Sequence, residues 1–165
     1  MSRRFPSLAA LLLLCTPAIA PAVAQQPPYM TLVGELVGAV ESPRVVMETC
    51  VTRKAGRREQ LKSAYDGWRA RHAPLLAQVD EQLSHADARL RRDNPAAGAG
   101  SVAEAMTRIL QRRYESLDAA GLRQLCGRYD EMLRAKDVEM EAAIPELLKR
   151  VGEADRALAA RESRG

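Results

Sequence analysis

Residues Arg57–Asp93 read RREQLKSAYDGWRARHAPLLAQVDEQLSHADARLRRD. Within this stretch Leu61, Tyr65, Trp68, His72, Leu76, Val79, Leu83, Ala86 and Leu90 recur in steps of three or four. Such steps average close to the 3.6-residue helical period, so these side chains fall on one stripe. The opposite side carries Glu59, Asp66, Asp80, Glu81, His85 and Arg92. An amphipathic helix of this kind needs partners to cover its stripe. Pro74 lacks an N–H and crowds the carbonyl of Ala70, which predicts a kink or break near residues 71–73.

The flanking segments read as those partners. Gln25–Met30 contains Pro27-Pro28 and predicts a disordered or extended lead-in, and Thr31–Val40, interrupted by Gly34 and Gly38, reads as a short helix in preference to a strand. Ser42-Pro43 reads as a helix start, a capping side chain followed by proline at the first helical position. Val46, Met47, Cys50 and Val51 follow at helical spacing, and Gly56 ends the helix. Asn94-Pro95 and Gly98-Ala99-Gly100 form a linker. Ser101 and Glu104 make a capping box, opening a helix with Val102, Met106, Ile109, Leu110 and Leu117 as its apolar face. Arg113 falls in the middle of that face, where it reads as an arginine whose stem packs while its head reaches water or a carboxylate. The apolar phase shifts at Asp118–Gly121, which predicts a turn. Beyond it one stripe runs from Leu122 through Tyr129, Leu133, Met140, Ile144 and Val151 to Leu158. Pro145 interrupts that stripe and predicts a bend or break near Ala143. The fold class is all-α: a compact bundle of four to five helices with kinks near Pro74 and Pro145.

Residues 1–24 read as a signal peptide rather than as part of the fold. Arg3 and Arg4 precede the apolar run Leu8–Cys15, and Ala22-Val23-Ala24 is a small-x-small cleavage pattern. The rival reading, a lipidated Cys15, is disfavoured by Leu14, because lipidated cysteines follow small residues. The expected domain organisation is 1–24 signal peptide, 25–42 lead-in and short helix, and 43–162 a single bundle. Cleavage removes Arg3 and Arg4 from the 25 basic residues and none of the 21 acidic ones, leaving a net charge of +2. So mild a charge argues against a nucleic-acid partner. No stretch after the signal is long and apolar enough for a transmembrane helix. The expected localisation is periplasmic or secreted.

Cleavage also leaves only Cys50 and Cys126, and two cysteines in an exported chain pair as a rule. The loop closed, about 77 residues, corresponds to roughly 4 kcal/mol of chain entropy. The pairing constrains the layout. An unbroken Arg57–Asp93 helix would be about 50 Å long, and the Ser101–Leu117 helix returns about half of that. A reversal at Gly121 would then leave Cys126 near the middle of the long helix, away from Cys50. The chain must therefore either fold back at Pro74 or run straight through residues 118–121, and the proline favours the fold-back.

Few residues carry chemistry. His72 lies on the apolar stripe, where it reads either as a hydrogen-bonded core histidine or as a pocket group with Tyr65, Trp68 and Arg113. Glu81 and His85 offer only two metal ligands, too few for a structural zinc site, so no metal or cofactor is expected. Nucleophile elbows, phosphate loops, CxxC and HExxH are all lacking, and no residue is assigned a catalytic role.

Charge is uneven. Arg53, Lys54, Arg57, Arg58 and Lys62 cluster around Gly56, whereas Asp130–Glu146 holds six acidic residues against Arg134 and Lys136. Arginines at a helix start oppose the partial positive charge there, at a few tenths of a kcal/mol each. The two clusters either face each other on a solvated surface, or the basic one meets an anionic envelope partner: a polypeptide, a lipid headgroup or a glycan.

With its signal peptide, Cys50, Tyr65–Trp68 and the run Leu122-Arg-Gln-Leu-Cys126-Gly-Arg-Tyr129, the chain resembles uncharacterised small secreted or periplasmic helical proteins of Gram-negative bacteria. That resemblance implies no activity. The general layout is also similar to periplasmic helical chaperones, although the Leu-Thr-x-x-Gln motif of the stress-induced type is missing. The function expected is a non-catalytic binding or chaperone-like module of the cell envelope. The alternatives are a structural envelope protein and, third, an enzyme with a pocket near Trp68 and His72.

Overall fold

The helix α1 spans Tyr29–Thr52 and carries only four charged residues, Glu35, Glu41, Arg44 and Glu48, among 24. Apolar side chains fall on every side of it. A helix that is apolar all round is a buried one, and every other helix packs against α1. The computed structural model describes residues 29–93 and 100–164. The expected signal peptide, residues 25–28 of the lead-in and residues 94–99 of the linker lie outside them, whereas Tyr29 and Met30, expected in the lead-in, open α1.

The expected break at Ser42-Pro43, and with it the boundary between residues 42 and 43, is not there. Pro43 sits inside α1. It lacks the N–H that would bond the Ala39 carbonyl, and the Ser42 hydroxyl donates to that carbonyl instead at 3.5 Å. Burial of Leu32, Val33, Leu36 and Val37 before the proline, and of Val45, Val46 and Cys50 after it, holds one helix through the interruption. Tertiary packing outweighs a local stop signal here. The centre of the fold is accordingly α1 and not the Arg57–Asp93 stretch.

That stretch forms α2, Arg58–Arg71, and α3, Ala73–Asp93, with the break at His72. Pro74 occupies the first turn of α3, where its missing N–H leaves no gap in the ladder. The predicted stripe is the buried side: Leu61, Trp68, His72, Val79, Leu83 and Ala86 are buried, and Tyr65, Leu76 and Leu90 are half-buried. No fold-back occurs at the break. The start of α2 lies by Cys126, whereas near the end of α3 the Arg89 guanidinium stands 5.9 Å over the Tyr29 ring. Together α2 and α3 descend the whole length of α1.

The chain then rises along α1 as α4, Val102–Glu115. Its capping box is formed as predicted, with Ser101 and Glu104 bonded reciprocally at 3.0 Å. Asp87 of α3 adds a bond to the Val102 N–H at 2.7 Å. Gly34 brings α4 close to α1, since a Cβ there would stand 3.1 Å from the Met106 methyl. One correction concerns α4: Ile109, expected on its apolar face, is exposed, and Thr107 is buried there instead. Arg113 is exposed, as an arginine whose head reaches water should be.

Asp118 caps α5, Ala119–Gly127, by accepting from the Gly121 N–H at 2.7 Å. A break at Arg128, which no proline announces, leads into α6, Tyr129–Ala142. A break at Ala143 leads into α7, Ile144–Glu162, with Pro145 in its first turn. The three helices descend beside α1. Short α5 brings Cys126 to Cys50, at disulfide distance with Cα atoms 5.7 Å apart. The passage through residues 118–127, rather than a fold-back at Pro74, solves the cysteine constraint.

Among the described residues there are seven helices and no strand, more helices than the four to five expected. They fall into four runs, α1, α2–α3, α4 and α5–α7, which serve as the rods of the bundle, and short breaks divide two of them.

Candidate functional site

Three regions carry polar or open features. The first is the loop between α1 and α2. Here α1 ends with the Lys54 N–H on Val51 O and the Ala55 N–H on Cys50 O. That is the double bond of a Schellman end, in which the penultimate residue is left-handed. Lys54 occupies that position with φ 53°. The turn throws Arg53, Lys54, Arg57 and Arg58 outward, and Lys62 follows one turn into α2; all five are exposed. Arg53 donates to the Glu115 carbonyl at 3.3 Å, which sets the end of α4 beside the cluster. Among the described residues, none of the five lies within 4.0 Å of a carboxylate oxygen.

The acidic stretch is engaged elsewhere. Asp137 pairs with Arg71 and His72, Glu131 with Arg128, Glu139 with Lys136 and Glu146 with Lys149. Asp130 and Arg57 border the same cavity of about 180 Å³ beside Cys126 without forming an ion pair.

The second region is the proposed pocket of Tyr65, Trp68, His72 and Arg113. The structure joins three of them and separates the fourth. The Trp68 ring lies 6.2 Å from Tyr65 and 5.3 Å from His72, centroid to centroid. Trp68 and His72 are buried, and burial pushes the Tyr65 phenol up. The Trp68 indole N–H meets no acceptor among the described residues. His72 Nε2 lies 2.7 Å from Asp137 Oδ1, and the Arg71 guanidinium reaches the same carboxylate at 3.1 and 3.2 Å. Burial raises the Asp137 carboxyl, but the hydrogen bonds from His72 and Arg71 outweigh it and hold the group below the usual carboxylate range.

A depression of about 450 Å³ opens beside this pair, lined by Arg71, His72, Pro74, Leu75, Asp137 and Glu141. No hydroxyl or thiol belongs to that lining, so the His–Asp pair faces no nucleophile there. Its evident role is to pin α2 to α6 at the level of the His72 break.

The third region is where Arg113 does lie: a groove of about 500 Å³ between α4, α5 and α6, with Tyr114, Leu117, Leu125 and Met132 in its walls. Arg113, expected to pack its stem and turn its head to water, is exposed at the groove edge and lies apart from Tyr65, Trp68 and His72.

Sequence reading also missed the Arg89 cluster. Arg89 is buried and donates to Asp155 at 2.9 Å and to Glu162. It stands three positions after Ala86, on the flank of the predicted stripe, but its carboxylates are supplied by α7. Burial and the Asp155 charge push the Tyr29 phenol beside it up.

Among the described residues no group of three or more His, Cys, Asp or Glu side chains could hold a metal ion, and no helix is long and apolar enough to cross a membrane. Fold and surface together define a small all-α bundle with a basic pole and an apolar groove. No family model, curated protein or solved structure matches the chain.

Proposed function

We propose that the chain is an exported, disulfide-linked binding module of the cell envelope, without catalysis, whose basic pole engages an anionic partner. The observation that carries this reading is the cluster Arg53, Lys54, Arg57, Arg58 and Lys62, exposed and without a carboxylate partner among the described residues. Apart from the Arg53 bond to the Glu115 carbonyl, this charge, part of it kept against the helix dipole at the start of α2, is available to an outside ligand. The export half of the reading rests on the signal-peptide pattern of residues 1–24. The envelope offers polyanionic polypeptides, lipid headgroups and glycans as partners.

Charge reversal of Arg53, Lys54, Arg57 and Arg58 to glutamate tests the reading. The variant should melt within a few degrees of the wild type and lose partners captured from an envelope extract, and the wild-type interaction should weaken steeply with salt. A variant that stays folded and captures the same partners removes the proposal. Stable co-assembly with cell-wall material, indifferent to the reversal, would mark a structural envelope protein instead. Intact mass of the exported protein should place its first residue at Gln25.

A further inference from the structure

The groove between α4 and α6 exists because neither helix closes against the other. α4 packs chiefly on α1 and α3, and α6 on α1, α2 and α7. The two leave a seam between them. Tyr114 of α4, Leu117 of the connection that follows it, Leu125 of α5 and Met132 of α6 line it and are only half-buried. The apolar surface runs on past the groove. Ile109, one turn before Arg113, is 50 % exposed, and Val138, one turn after the lining residue Ala135, is 68 % exposed. Singly exposed apolar side chains are ordinary, but a groove with four half-buried apolar walls flanked by two more is the kind of contiguous surface that ligands cover.

The size and polarity of the groove narrow what that is. A volume of about 500 Å³ lies within the range of small-molecule sites, which are mostly apolar with a few placed polar groups. The charged groups at its edge are Arg113, Arg128 and Glu131. Arg128 and Glu131 are paired at 2.7 Å and so satisfy each other. Arg113 has no carboxylate within 4.0 Å among the described residues. An apolar trough with one spare guanidinium at its lip matches an amphiphile with one acyl chain and one anionic head.

We propose that this groove is a binding site for a free single-chain fatty carboxylate, its chain along Leu117, Leu125 and Met132 and its carboxylate on Arg113. The residues involved are separate from the basic cluster, so the site can stand or fall without the reading of that surface.

Calorimetric titration of the full disulfide-linked protein with dodecanoate, below the concentration at which it forms micelles, tests the site. One molecule should bind per chain. Affinity should rise about fourfold per methylene from octanoate to dodecanoate, the increment that burial of each CH₂ implies. Ala135→Trp and Gln124→Trp, both at exposed helical positions lining the groove, should each weaken binding at least about tenfold by filling it. Arg113→Gln should weaken dodecanoate about tenfold and leave dodecanol unchanged. Circular dichroism melts of each variant establish that it is folded. Absence of saturable binding, indifference to chain length, or full binding by both folded tryptophan variants overturns the proposal. So does a concentration-dependent dimer that Ala135→Trp abolishes while dodecanoate fails to bind, because the groove would then hold a second copy.

Discussion

The Tyr129 hydroxyl donates to the Pro43 carbonyl at 2.9 Å, tying the first residue of α6 to the middle of α1 across 86 positions of sequence. Both residues are buried, and burial pushes the Tyr129 phenol up. Pro43 is the point at which α1 loses a ladder bond, so the tie falls on the weakest turn of the central helix. Tyr129→Phe keeps the ring and deletes the donor. The Pro43 carbonyl retains its place in the α1 ladder, so no acceptor is orphaned. The loss should therefore be about 1 kcal/mol in urea unfolding, with an unchanged dependence on denaturant. A loss under about 0.3 kcal/mol would show that the bond does not stabilise α1.

Among the described residues, Asp137 is the one carboxylate that bonds a buried histidine. Asp137→Ala leaves the His72 ring without its acceptor and Arg71 without its partner, at a cost of about 1–3 kcal/mol near neutral pH. The dependence on pH has a definite sign. The folded carboxyl titrates below its unfolded value. Its contribution is therefore complete above the ordinary carboxylate range, about pH 4, and is lost as pH falls through the lowered folded value. Melting curves of the two proteins should accordingly converge as pH falls from about 5 toward 2. A gap that widens on acidification would contradict the assignment.

What could be read in the sequence was local. The stripe from Leu61 to Leu90 is the buried side of α2 and α3 because a periodic pattern contains its own information. The Ser101–Glu104 box is formed because both partners lie within one turn. The break at His72 was legible from Pro74, and the one at Ala143 from Pro145. Long-range relationships were not legible. Asp137 stands 65 positions from His72 and looked like one acid among six. Arg89 had no visible partner until α7 supplied Asp155 and Glu162. Ser42-Pro43 has the form of a helix start and was overruled by burial on both sides. The low charge and all-round apolarity of residues 29–52 were the better guide to α1. The break at Arg128 has no proline to mark it, and the groove beside it could not be foreseen.

Lys54 is left-handed, with φ 53°, at the Schellman end of α1. A non-glycine residue there carries roughly 1–2 kcal/mol of steric cost. Lys54→Gly removes that cost and gives part of it back through a looser unfolded chain, for a net gain of roughly 0.5–1 kcal/mol. The melting temperature should rise by about 2–4 °C. Lys54→Ala is the control, since it deletes the charge and keeps the strain, and should bring no rise. If both variants rise equally, relief of charge repulsion within the cluster is the cause and the backbone is not.

Arg89 joins three rods at the end of the bundle away from the cysteine pair: it sits on α3, bonds Asp155 and Glu162 of α7, and stands over Tyr29 of α1. Its guanidinium is buried, whereas Glu162 is 56 % exposed and Asp155 32 %. Removing the arginine therefore leaves two carboxylates that water can reach, unlike a fully buried pair, whose disruption costs about 3–5 kcal/mol. Arg89→Ala should cost about 2 kcal/mol, between that value and the 0–1 kcal/mol of an exposed pair. Arg89→Lys should recover less than half of it, because a single ammonium cannot reproduce the fork that reaches both acids and the ring. Amide hydrogen exchange locates the effect. Protection should fall at the start of α1, the end of α3 and the end of α7, and stay unchanged around Cys50 and Cys126. Full recovery by lysine would reduce the cluster to a point-charge interaction.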